Sequence, residues 1–189
     1  MISIRRLSRS YGKIKTNKMF LFLILIVLSG CFSNSQRSTI SGKKLYKTFF
    51  VGDDGIQYFI NPLTFKNDAN GKMLMDITFR YKDKIKDSAT FNISFIDKDV
   101  YRNIDSMKIK NDSVSIALTK FKYMFSEREK NEFNSRYSVK CRLSDVKKLF
   151  DGHDWNVLLF RQNVIGNYKT PTSTKKKIDK LKYEIFALF

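Results

Sequence analysis

The sequence predicts a mainly β domain, an antiparallel sandwich-like assembly with one short and one C-terminal helix; an α+β layer arrangement is the alternative. Three observations predict it. Seven or more short segments alternate apolar and polar residues with the period of two that a strand imposes. Turn-forming Gly, Asn and Asp residues separate several of them, and β-branched and aromatic residues fill them.

The elements follow in chain order. Leu45 to Val51 and Ile56 to Ile60 are aromatic and β-branched, and Gly52-Asp53-Asp54-Gly55 between them supplies a hairpin turn. Asp53 and Asp54 have no further carboxylate at metal-ligand spacing, so turn chemistry explains both. Met73 to Tyr81 alternates cleanly, placing Met73, Met75, Ile77, Phe79 and Tyr81 on one face, and Thr90 to Phe95 is placed to pair with it across the charged stretch Lys82 to Asp87. Ser106 to Lys110, the Asn111-Asp112 turn and Ser113 to Leu118 repeat the scheme, with Met107, Ile109, Val114, Ile116 and Leu118 inward. The apolar phase then shifts to Phe121, Tyr123 and Phe125, which implies a bulge or a new element near Thr119 and Lys120. Ser126 to Glu132 is a charge cluster without an apolar stripe, read as a solvated loop or short helical turn.

Tyr137 to Leu143 alternates again and points Cys141 into the core. Ser144 is placed to cap a turn carrying Val146, Leu149 and Phe150, which Gly152 ends, and Trp155 to Phe160 reads as a further strand. Pro171-Thr172-Ser173-Thr174 opens a basic amphipathic helix with Ile178, Leu181, Ile185 and Leu188 at helical spacing. That apolar stripe is expected to dock on the sheet while the lysines face water. The rival readings are a membrane-surface helix and a strand, since alternate residues from Leu181 to Phe189 are apolar too.

Charge bounds the partners. The chain has 36 basic and 18 acidic residues, and six of the basic ones precede Cys31, so the remainder keeps a net +12. Such a field attracts acidic partners, an anionic envelope component among them. The basic residues after Cys31 are mostly lysines spread along the chain, whereas bidentate phosphate recognition favours arginine. A solvated Lys-rich surface therefore explains them better than a dedicated polyanion site, and no specific nucleic-acid binding is expected.

Chemistry-bearing motifs are scarce. The best candidate for a surface site is Asp151, His153, Asp154 and Trp155, which holds the only histidine and the only tryptophan. One imidazole with neighbouring carboxylates falls short of the three or four ligands of a metal site, and pairing Cys141 with His153 as a nucleophile would require the thiol to leave the core face. No glycine-rich phosphate loop, paired-cysteine motif or Gly-x-Ser-x-Gly elbow occurs, so a helix-end loop is the expectation, with no cofactor, no metal and no catalytic residue.

The N-terminal segment determines the setting. Met1 to Lys18 carries six Lys or Arg and no acid, and ten uninterrupted apolar residues, Met19 to Leu28, follow it. This is the basic-then-apolar order of a secretory signal, and the apolar run is half the roughly 20 residues a spanning helix needs. Leu28-Ser29-Gly30-Cys31 resembles the lipobox of bacterial lipoproteins. The resemblance covers the first 31 residues and implies that the Cys31 thiol receives a diacylglycerol, that residues 1–30 are cleaved as a signal peptide, and that the new amino terminus is acylated. Acyl chains buried two or more at a time hold a protein stably on a membrane. Phe32, where inner-membrane retention signals carry Asp, implies the outer membrane. Residues 31–43 then form the lipidated cysteine and a flexible polar tether of about 20 Å reach, and residues 44–189 a single domain. The functional expectation is a membrane-anchored envelope lipoprotein presenting a non-enzymatic binding or structural module. An immunity-type lipoprotein that neutralises a toxin is the alternative, and an envelope enzyme ranks third.

Overall fold

The structure, a computed structural model, describes residues 39–40, 43–69, 71–82, 88–162 and 164–188. The segment read as a signal peptide, Cys31, the first part of the stretch read as a tether and most of the Lys82–Asp87 stretch lie outside the described residues. In chain order the strands are β1 (Thr39–Ile40), β2 (Lys43–Lys44), β3 (Tyr46–Phe50), β4 (Ile56–Asn67), β5 (Lys72–Tyr81), β6 (Ser88–Asp97), β7 (Ser106–Lys110), β8 (Ser115–Leu118), β9 (Lys122–Glu129), β10 (Glu132–Arg142), β11 (Asn156–Arg161) and β12 (Val164–Lys169). Helix α1 (Leu143–Leu149) and helix α2 (Thr172–Glu184) complete the set, with short 3₁₀ turns at Gly52–Asp54 and Phe186–Leu188. Among the described residues no helix is long and apolar enough to cross a bilayer.

The mainly β expectation holds, with the short and the C-terminal helix in place. β3 to β12 form one antiparallel sheet in the order β8-β7-β11-β12-β4-β5-β6-β10-β9, with β3 also paired to β4. Its two edge strands, β8 and β9, are consecutive in sequence, so Thr119 to Phe121 carry the chain directly from one edge to the other. That short crossing requires the sheet to curl, and Leu118 of β8 and Val139 of β10 line one shared surface cleft. The sandwich-like layering is therefore one sheet folded back on itself, with α2 on its concave side.

The alternation read from sequence fills this interior. Met73, Met75, Ile77 and Phe79 of β5 face Phe91, Ile93 and Phe95 of β6 through the register Met73↔Phe95, Met75↔Ile93 and Ile77↔Phe91, and all are buried. α2 contributes Ile178 and Leu181, and Ile185 and Phe186 follow it into the core. The Phe186 ring stacks on Phe150 at 4.1 Å, which ties α2 to the end of α1. Leu188, expected on the same stripe, is exposed, because the helix gives way to a 3₁₀ turn that turns Phe186 inward instead.

Several expectations are corrected. The charge cluster Ser126–Glu132 is neither loop nor helix: β9 runs through it to Glu129, and the chain turns at Lys130, whose φ is +57°, into β10. An edge strand exposed on both faces carries no apolar stripe, and its charges discourage pairing with other chains. The phase change near Lys120, φ +60°, is the start of this new strand, yet Tyr123 and Phe125 stay substantially exposed. Ser144 does not cap α1: Arg142 is the N-cap residue, and no side chain makes the cap hydrogen bond. The short hairpin of β1 and β2, Thr39↔Lys44 and Ile40↔Lys43, falls within and beside the stretch read as a tether. β12 adds a strand that alternation does not signal, because Val164-Ile165-Gly166-Asn167 offers no alternation and only Tyr168 of the strand is buried.

β4 departs most usefully from expectation. It does not end at Ile60 but continues through Asn61-Pro62 with a register shift between Ile60 and Leu63 against β5. Proline is tolerated there because that irregularity needs no ladder donor from residue 62. The other edge of β4 is shared: Ile56 to Ile60 pair with β3, whereas Lys66 and Asn67 pair with β12. Between these two partners the edge is open, and the first turn of α2 approaches it, with the Thr174 hydroxyl donating to the Thr64 carbonyl at 2.8 Å.

Candidate functional site

The Asp151–Trp155 loop is held as a clasp. His153 Nδ1 lies 2.9 Å from Asp179 Oδ1, Lys175 Nζ donates to Asp154 Oδ2 at 2.6 Å, and Lys182 Nζ donates to the Asp151 carbonyl at 2.9 Å. Residues 175, 179 and 182 recur at helical spacing, so the loop grips one face of α2. The ammonium of Lys175 holds the Asp154 carboxyl below its ordinary range, with help from the Thr170 hydroxyl. Beneath the loop Trp155 is buried between Phe65 and Phe150, and its Nε1–H is shared between the carbonyls of Leu149, at 2.8 Å, and Gly152, at 2.7 Å. The four candidate residues thus each have a structural partner and do not converge on a common point. Among the described residues no group of three or more His, Cys, Asp or Glu could hold a metal ion.

Cys141 is buried on β10, as its alternation requires. Burial, with Asp145 as the next cause, pushes its thiol up from 9.0 to about 11. Only the thiolate is nucleophilic, so thiol reagents are expected to label Cys141 slowly in the folded chain at pH 8 and rapidly in denaturant. The linkage sign follows from a raised folded value. The fold favours the protonated thiol, so this contribution is fully present below pH 9 and is lost as pH rises toward 11. The stability advantage of the native chain over a Cys141→Ala variant is therefore expected to shrink between those pH values, measured by urea unfolding.

A polar cluster that sequence reasoning missed lies inside the curl. Tyr101 OH donates to Asp97 Oδ2 at 2.9 Å and sits 3.0 Å from Tyr168 OH, while the Tyr137 hydroxyl donates to the Tyr101 carbonyl at 2.8 Å. The Tyr101 ring is stacked on Phe95 at 5.0 Å, and the Arg161 guanidinium lies 3.9 Å from its centroid. Burial and the neighbouring Tyr168 and Asp97 raise the Tyr101 phenol far above its ordinary value. The cluster joins three separate strands through fully paired groups, which suits a fixed core.

The feature with binding geometry is the open edge of β4. Between β3, the Asn61-Pro62 irregularity and the first turns of α2 lies a groove of about 840 Å³. Its floor is apolar, from Leu45, Leu63 and Leu181, all buried in the core behind it. Lys44 and Lys47 stand on one wall and Lys176 and Lys177 on the other, and no acidic residue among the described residues lines it. The lysines of α2 divide accordingly. Lys175 pairs with Asp154 and Lys180 with Glu184, whereas Lys176 and Lys177 meet no carboxylate among the described residues. Sequence gave this one sign, the crowding of lysines at the start of α2; it could not show that β2 and β3 bring two more opposite them. The chain matches no family model, no curated protein and no solved structure.

Proposed function

We propose that this chain is a membrane-anchored envelope lipoprotein whose β-rich domain is a non-enzymatic binding module. The observation that carries the reading is the order basic flank, short apolar run and Leu28-Ser29-Gly30-Cys31, with a polar Ser/Asn/Gln segment after it. A cysteine at that position, acylated on its thiol and on its new amino terminus, anchors the chain by several acyl chains, and one chain alone would be insufficient. Two features of the domain support a binding role over a catalytic one. The loop bearing the single histidine is committed to holding α2, and the groove beside β4 offers an apolar floor with cationic walls. An outer-membrane address follows from Phe32 after the cysteine.

Cys31→Ser tests the anchor. The variant is expected to keep its N-terminal segment and to leave the detergent-rich phase once residues 1–30 are removed by an engineered protease site. Partitioning of that trimmed variant equal to that of the native protein would overturn the anchor.

A further inference from the structure

We propose that the groove along β4 holds the phosphate headgroup of an anionic phospholipid of the membrane on which the chain sits. Three observations point there. The groove combines an apolar floor with four lysines and, among the described residues, no acid, and that is the complement of a lipid with an anionic head and acyl chains. A lysine-rich face that serves only solubility carries both signs interspersed. Lysine acts toward phosphate as a point charge without a fixed fork, which suits headgroups of varied orientation.

The second observation is the surface next to it. Lys47 stands across from Phe59 in the β3–β4 register, and Phe49 lies two residues along the same face. The two rings touch edge to face at 5.5 Å, yet Phe49 is 56% and Phe59 38% exposed. Paired aromatics left in water beside lysines form the composition of an interfacial membrane contact, where rings enter the acyl boundary and ammonium groups stay with the phosphates. The third is chain length. Lys44, on the groove wall, lies only 13 residues after Cys31 in the chain. This location, though not the chemistry, rests on the lipoprotein reading.

The test uses the full chain reconstituted into vesicles of phosphatidylcholine alone or doped with phosphatidylglycerol. The acyl chains hold the chain on either vesicle where Cys31 is acylated, and the retained apolar segment Met19 to Leu28 does so where it is not, so failure of the anchor does not silence the assay. Lysine acylation by a water-soluble reagent is followed residue by residue by mass spectrometry. Lys44, Lys47, Lys176 and Lys177 are expected to label at least about threefold more slowly with phosphatidylglycerol present, as mass action on an occupied site requires. Exposed Lys108, Lys120 and Lys148 should be unchanged. In K176Q/K177Q, and independently in Lys47→Gln, the remaining groove lysines should lose that protection while the thermal transition stays in place. Protection spread evenly over all exposed lysines, no protection at all, or groove protection indifferent to these substitutions would each overturn the site.

Discussion

Deletion of residues 173–189 is expected to abolish the cooperative thermal transition of the domain. The segment removes Ile178, Leu181, Ile185 and Phe186 from the interior, none of them more than 3% exposed. Truncating one such aliphatic side chain to Ala costs about 2–5 kcal/mol, and an entire domain is stable by only about 5–15 kcal/mol. Losing four together exceeds that margin. The deletion also frees the Thr64 carbonyl from Thr174 and the Phe150 ring from Phe186. Ile178→Ala and Leu181→Ala, which leave the helix in place, are each expected to lower unfolding free energy by about 2–5 kcal/mol in urea titrations. A truncated chain with an undiminished transition would mean that α2 is a surface element after all.

Trp155 carries the second large effect. Trp155→Ala is expected to cost about 3–5 kcal/mol, since it removes a fully buried ring from between Phe65 and Phe150. Trp155→Phe keeps an aromatic filler but leaves the Gly152 carbonyl without its donor, while Asn111 Nδ2 still donates to the Leu149 carbonyl, a loss of about 1–3 kcal/mol. His153→Ala should behave differently. Its contact with Asp179 has both side chains about half exposed, at 51% and 47%, and such pairs contribute at most about 1 kcal/mol. Chemical denaturation of the three variants separates a structural loop from a working site. If His153→Ala were as damaging as Trp155→Ala, the clasp description would be wrong.

The elements legible in the sequence were those in which one face is buried. β5, β6 and the β7–β8 hairpin announce themselves because the pleat sorts Met73 through Phe79, Phe91 through Phe95 and Met107 through Leu118 into core and solvent. β9 and β12 were illegible for the opposite reason: β9 is an edge strand, and of β12 only Tyr168 is buried, so neither carries the signal that alternation supplies. The alternation of β4 is legible only to Ile60, and its passage through Asn61-Pro62 depends on the register irregularity there, which needs no ladder donor from residue 62. The loop at His153 was recognised as a helix-end loop, but its partners on α2 are about 20 to 30 residues away, beyond any local pattern. The groove was hidden for the same reason. Lys44 and Lys47 meet Lys176 and Lys177 only through the topology that brings α2 to the open edge of β4.

The central claim is that Cys31 is the amino terminus of a lipid-anchored protein, and intact mass spectrometry of the protein extracted from membranes tests it most directly. The expected product is a chain that begins at Cys31 and carries a diacylglyceryl group on the thiol together with an amide-linked acyl chain. An unmodified mass of 22.2 kDa for all 189 residues, or a chain cleaved elsewhere and carrying no acyl group, would contradict it.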